Sequence, residues 1–194
     1  MIFIPKAASG MCALASKDAA RYALNHLRVR EVAGERFHLE ATDGKRLAIL
    51  RGPCLPTPQE VLAAGAHASP ETILTEGLLL ASVLKGAFKM EGDNLGILLG
   101  RPNTLLFVIN KSLITEPGEG RFPDVDAVLP KTPALFSIAV DPILLASILT
   151  AASKVQHPDA CKVQLLFWNA TSPMGIICQG PDGITFDAML MPLA

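Results

Sequence analysis

Few residues in this chain stand where they could do covalent chemistry. His157 and Cys161 lie four apart and could share one helix face, but no second ligand pair is near enough to complete a zinc site. Asp124 and Asp126 in PDVDAV could meet a cation, and a solvated polar loop accounts for them equally. Gly92, Gly96 and Gly100 recur every four residues in EGDNLGILLG. No Lys-Ser or Lys-Thr pair follows them, so they read as strand ends and not as a phosphate cradle. The chain contains no G-x-S-x-G, no P-loop and no H-E-x-x-H. Cys12, Cys54, Cys161 and Cys178 are scattered with no C-x-x-C pair and read as buried, reduced thiols. The expectation is a protein that binds and does not catalyse, with no metal and no cofactor.

The elements that would position a binding surface show themselves through repetition. LLLASVLKGA (Leu78 to Ala87) returns 65 positions later as ILLASILTAA (Ile143 to Ala152), with Leu79, Leu80, Ala81, Ser82, Leu84 and Ala87 repeated identically. A fixed period reports one supersecondary unit used more than once. Each copy reads as an apolar helix followed by short strands, and a helix apolar over so broad a face must lie against a sheet.

Composition sets the scale. The chain has 194 residues, 50% of them hydrophobic and 18% charged, which supports a sizeable core and argues against disorder. So low a charge content also implies apolar surface covered by another chain. The net charge of −1 leaves nucleic-acid binding to the placement of the basic residues. No apolar run approaches the roughly 20 residues that cross a bilayer. The opening MIFIPKAASGMCALAS resembles a signal peptide only weakly, because its apolar residues precede the lysine and Ser9 and Gly10 break the run. The expected location is cytoplasmic.

Along the chain, Asp18 to Arg30 carries Ala20, Ala23, Leu24 and Leu27 at helical spacing, with Ser16 or Asp18 as cap. RFHLEATD and KRLAILRG read as a hairpin across Asp43-Gly44. Pro53 to Pro70 is a connector. From Thr72 follow a strand, the helix LLLASVLKGAFK, and strands LGILLG and TLLFVIN joined by Arg101-Pro102-Asn103. One further short strand and the excursion EPGEGRFPDVDAVLPK lead to the third part. There ALFSIAV is a strand, and Asp141 caps a helix with Pro142 at its first position. KVQLLFWN, MGIICQG and ITFDAMLMPL are strands, the last two joined through Gly180-Pro181-Asp182-Gly183. The chain thus reads as three β-α-β-β-β units, about 1–60, 70–131 and 132–194.

Three stretches give this pattern a family resemblance. SKDAARYALNHLRVREVAGERFHLEATDGKRLA resembles the first half of the middle domain of the bacterial DNA sliding clamp, the DNA polymerase III beta subunit. GEGRFPDVDAVLPK resembles the segment that closes that domain, and DAMLMPLA resembles the final clamp strand with its Met-Pro pair. The resemblance implies an α+β fold of the DNA-clamp (processivity-fold) type, built from repeated β-α-β-β-β half-domains with helices on one face of antiparallel sheets. It implies a complete domain over 1–131, made of half-repeats at about 1–60 and 70–131, and a single half-domain over 132–194. An amino-terminal clamp domain is not represented. A lone half-domain leaves an open sheet edge and an uncovered helix face. Pairing with the same half of a second chain relieves both, so a homo-oligomer is expected, as a dimer or a dimer of dimers.

Function follows from the same resemblance. Clamps surround duplex DNA and tether polymerases and repair factors, whose short peptides insert apolar anchors into a groove between the middle and last domains. The positions matching that peptide site are Leu24 on the first helix, Thr42, Gly44, Arg46 and Leu47 in the hairpin, Pro123 and Val128 in the closing segment, and Met189, Met191, Pro192 and Leu193 at the end. Non-specific contact with DNA phosphates would fall to Lys17, Arg21, Tyr22, Arg28 and Arg30 on or beside the first helix, Lys85 and Lys89 on the second, and Lys154 and Lys162 near the third. The implied role is a processivity factor in DNA replication or repair. A competing reading is an interaction module that keeps the peptide site, does not encircle DNA, and regulates or competes for clamp-binding proteins.

Overall fold

The computed structural model describes residues 2–18, 23–32, 36–53, 72–90, 94–108, 111–155, 162–181 and 184–193. They fall into two compact units, Met1–Asp124 and Val125–Ala194.

The first unit opens with strand β1 (Ile2–Pro5) and a 3-10 helix, η1 (Lys6–Ala13). Strands β2 (His26–Val32), β3 (Arg36–Thr42) and β4 (Leu47–Pro53) follow. A short β5 (Thr72–Ile73) and β6 (Glu76–Leu80) lead into helix α1 (Ala81–Ala87). Then come β7 (Asn94–Leu98), a short β8 (Gly100–Arg101), β9 (Thr104–Val108) and β10 (Lys111–Thr115). Two four-stranded antiparallel sheets result, in the orders β4-β3-β2-β6 and β1-β7-β9-β10. The two copies of the repeat therefore exchange their leading strands. β6 of the second copy pairs with β2 of the first, Leu79 opposite Leu27, and β1 of the first pairs with β7 of the second, Phe3 opposite Gly96.

Period-two alternation explains β2. Leu27 and Val29 are fully buried, while Arg28 and Arg30 project from the opposite face toward Glu40 on β3. The expected helix over Asp18–Arg30 is therefore corrected: residues 23–25 are a turn and 26–30 a strand. The first helix lies upstream in Lys6–Ala13, where small residues let η1 pack on the hairpin and on α1. The Ser16 hydroxyl accepts a bond from the Asp18 amide at 3.1 Å, and residues 19–22 lie outside the described residues. Leu78, Leu79 and Leu80 are likewise strand, so α1 begins at Ala81. One core joins the two four-stranded sheets, η1 and α1 through Ile2, Ile4, Ala8, Leu39, Leu84, Leu95 and Ile97, and β5 and β8 form a further two-stranded ladder. Full burial of each leucine or isoleucine in that core is worth about 1.5–3 kcal/mol.

The second unit contains α2 (Val125–Val128), α3 (Pro142–Val155), β11 (Gln164–Leu166), β12 (Met174–Gln179) and β13 (Thr185–Leu190). The three strands form one antiparallel sheet in the order β11-β12-β13. Asp141 caps α3 as expected, its Oδ1 accepting from the amides of Ile143 at 2.7 Å and Leu144 at 3.3 Å. Met174, Ile176 and Leu190 form the centre of this unit with Val140, Leu145 and Ile148 against them. The Cys178 thiol donates to the Ala152 carbonyl at 3.7 Å and ties the helix to the sheet. ALFSIAV, expected as a strand, forms none: residues 134–140 have no ladder partner among the described residues. Leu193 donates to the Ala139 carbonyl at 2.8 Å, the one bond described there.

The connector at 54–70, the pair His157 and Cys161, Cys54, Gly92 and the turn residues Asp182-Gly183 lie outside the described residues.

Candidate functional site

The hairpin between β3 and β4 supplies the best-defined part of the expected peptide site. Thr42 ends β3 and is buried; its hydroxyl donates to the Arg46 carbonyl at 2.8 Å and accepts from the Gly44 amide at 3.1 Å. Asp43 accepts from the amides of Lys45 at 2.9 Å and Arg46 at 3.0 Å, and its other oxygen takes the Arg46 Nε at 2.9 Å. The Lys45 amide bond first, then the Arg46 amide and guanidinium, hold the Asp43 carboxyl below its ordinary pKa against a smaller opposing effect of burial. Gly44 sits at φ +88°, the left-handed region that side chains resist. Arg46 reaches from this turn to the Ala13 carbonyl at 3.2 Å, at the end of η1. Leu47 opens β4 opposite Thr42 and is half-buried.

Leu24 belongs to the same end of the unit, though not to a helix. It lies in the turn before β2, half-buried, with its carbonyl accepting from the Ser16 amide at 2.7 Å. The η1 terminus thus gathers Leu24, Thr42, Gly44, Arg46 and Leu47 through Ala13 and Ser16. Pro123 is exposed near the end of the first unit. In the second unit Val128 ends α2, 65% exposed, and Met189, Met191 and Leu193 are exposed at and beyond β13, with Pro192 half-buried. Such side chains offer apolar surface of the kind that receives anchors.

The basic residues fall into two classes. Arg28 is on strand β2 and not on a helix. Its Nε meets Glu40 at 2.6 Å, and its guanidinium lies over the Phe122 ring at 5.2 Å. Arg30 donates to the same carboxylate through Nε at 3.0 Å and Nη2 at 2.6 Å, and Glu40 is fully buried. These arginines hold a sheet face together, which corrects their expected place beside a DNA-facing helix. Lys17 follows η1, Lys85 and Lys89 lie on and just after α1, Lys154 lies in the last turn of α3 and Lys162 precedes β11; all five are exposed. Lys6, at the start of η1, is a cation that the displaced helix assignment missed; it donates to the Met90 carbonyl at 3.3 Å. The small-residue run KAASGMCA was the available signal. Arg21 and Tyr22 lie outside the described residues.

A groove of about 1140 Å³ in the first unit is lined by Arg28, Glu76, Arg101, Glu116, Arg121 and Asp124 among others. None of the residues expected to bind peptide lines it, and its mixed charge gives it no single sign. Among the described residues no three His, Cys, Asp or Glu side chains converge as metal ligands, and no helix is long and apolar enough to cross a membrane. Burial pushes the Cys12 thiol up against the opposing pull of the Lys85 ammonium, and Cys178 is buried.

No protein-family model and no curated protein matches the chain. Solved structures do. A DNA polymerase sliding clamp from Pseudomonas aeruginosa superposes with TM-score 0.73 at 17% identity, over 98% of this chain and 50% of that one. The C. crescentus beta sliding clamp gives 0.72 at 18% identity, again over 98% and 50%. The clamp from Bacillus subtilis gives 0.70 at 16% identity, over 98% and 48%. The fold is therefore that of the bacterial sliding clamps, an α+β arrangement of antiparallel sheets and helices. The chain spans about half the length of the clamps it matches.

Proposed function

We propose that this clamp-fold chain is a non-enzymatic, cytoplasmic protein of DNA replication or repair. It assembles with copies of itself, surrounds or contacts duplex DNA, and tethers replication or repair proteins by their short clamp-binding peptides. The observation that carries the reading is the clamp fold over 98% of the chain. The domain division it uses is a complete clamp-like domain over 1–131 and a half-domain over 132–194.

In this reading the peptide-binding residues are Leu24, Thr42, Gly44, Arg46, Leu47 and Pro123 of the first unit and Val128, Met189, Met191, Pro192 and Leu193 of the second. The rigid Asp43 turn supports the first set, because a pre-organised loop loses little freedom when a ligand arrives. DNA contact falls to Lys17, Lys85, Lys89 and Lys154 with Arg21 and Tyr22, and Lys6 joins them. Arg28 contributes to the fold of that surface through Glu40.

The ion pairing of Arg28 and Arg30 thins the cationic complement and favours a second reading. In it the chain keeps the peptide site without encircling DNA and regulates or competes for clamp-binding proteins. Retention on nicked circular DNA, with loss from the same DNA made linear, separates the two. Retention on neither, together with fluorescence-anisotropy binding of a labelled clamp-binding peptide, selects the interaction module. Absence of both removes the proposal.

A further inference from the structure

The second unit is built like one copy of the repeat, but its sheet is one strand short. In the first unit each three-strand set accepts an outer strand on its first member: β6 on β2, and β1 on β7. β11 is the corresponding member of the second unit, and among the described residues nothing pairs with its outer edge. The corresponding leading segment, residues 134–140, lies ahead of α3 with no ladder of its own. One unit thus carries an unpaired strand segment and an unpaired edge. In the first unit the outer edges of β2 and β7 receive their strands from the other copy, while the short β5–β8 pairing holds a leading segment beside the end of its own copy's first strand.

We propose that a second copy of this chain completes the unit, residues 134–140 of each copy adding as an outer antiparallel strand to β11 of the other. A two-fold axis makes the exchange reciprocal and closes both edges at once. It reproduces with two molecules what the first unit does with two repeats. The side chains agree. Leu135 is 99% exposed and Ile143 77%, and Leu144, Leu165, Phe167 and Trp168 are each about half exposed. At roughly 100 Å² each, these six side chains offer about 600 Å², the low end of what each partner of a stable interface buries. Phe136 meets Phe167 of its own chain, just past β11, edge-on at 6.1 Å, as β5 meets β8 just past β7 in the first unit, which leaves the β11 edge itself open. The inference gives form to the homo-oligomer of the proposed function, on which it rests, and uses neither its DNA nor its peptide part.

The test is sedimentation equilibrium of the full chain, joined to hydrogen exchange across a dilution series. The expected result is twice the chain mass, with amides of 135–140 and 164–166 exchanging about tenfold or more slowly when the dimer is populated. Leu135→Asp and Ser137→Pro, both at exposed positions, are expected to give the single-chain mass with an unchanged circular dichroism spectrum. A wild-type monomer at micromolar concentration overturns both the inference and the oligomer of the proposed function. A dimer whose amides at 135–140 and 164–166 exchange at the monomer rate overturns the strand exchange alone, and points to a different surface or occupant.

Discussion

Glu40 is a fully buried carboxylate held by two arginines. Its buried carboxylate accepts from Arg28 and from both Nε and Nη2 of Arg30, all within 3.0 Å. Removing one member of a buried ion cluster leaves the others uncompensated, which costs about 3–5 kcal/mol. Glu40→Ala is expected to lower unfolding stability by that amount in urea titration, whereas Lys89→Ala, at an exposed site, should change it by less than about 0.5 kcal/mol. Asp43 gives a pH signature of the opposite kind. Its pKa is lowered in the folded hairpin, so its stabilisation is full above the ordinary aspartate pKa of about 3.9. That stabilisation is lost as the pH falls through the lowered folded value. The amide resonances of Lys45 and Arg46 should therefore titrate with a midpoint below that of a free aspartate, and should show no such step in Asp43→Asn.

Two short elements depend on single positions. Gly44, at φ +88°, turns β3 into β4, and a side chain there costs about 1–2 kcal/mol. Gly44→Ala should lose that much stability and Gly44→Asn less, as read by thermal unfolding. Asp141 accepts two of the orphan amides of α3, so Asp141→Ala should cost about 0.5–2 kcal/mol, with loss of helical circular dichroism confined to the second unit. The repeated decapeptide shows how context divides similar sequence. Leu79 and Leu80 close a strand because the edge of β2 is there to receive them. Leu144 and Leu145 lie in a helix because Asp141 and Pro142 start α3 four residues earlier relative to the repeat. Ala87 and its counterpart Ala152 are buried alike, whereas Leu84 is fully buried and its counterpart Leu149 is 38% exposed.

At the scale of the molecule, the proposed DNA contact is electrostatic and must respond to salt. Each phosphate neutralised adds about 0.9 to the slope of log affinity against log salt. Lys85→Glu with Lys89→Glu should weaken duplex binding and flatten that slope by about 2, while peptide binding stays unchanged. Leu24→Ala or Met191→Ala should do the reverse, weakening a labelled clamp-binding peptide about tenfold or more with the salt slope intact. A common loss of both activities in either variant would mean that the two surfaces are not separate, and the proposed division of labour would fail.

What the amino-acid sequence determined by itself was local or periodic. Asp43-Gly44 announced its hairpin and Asp141-Pro142 its helix start, because the bonds that make a turn or a cap join residues within four positions of each other. The short apolar runs of β7, β9, β12 and β13 marked strands for the same reason, being bounded by local turn residues. The repeated decapeptide and the clamp-like segments further indicated a fold of helix-backed antiparallel sheets.

Only the tertiary structure decided which strands leave their own repeat. The pairing of β1 with β7 joins residues about 90 positions apart, and nothing near Ile2 encodes its partner. The same long-range choice moved the first helix to Lys6–Ala13, since Leu27 and Val29 gain more by alternating into a shared core than by lining a helix. It also turned Arg28 and Arg30 from expected free cations into partners of Glu40. Where a residue's partners lie far along the chain, composition and spacing name its type, and packing assigns its work.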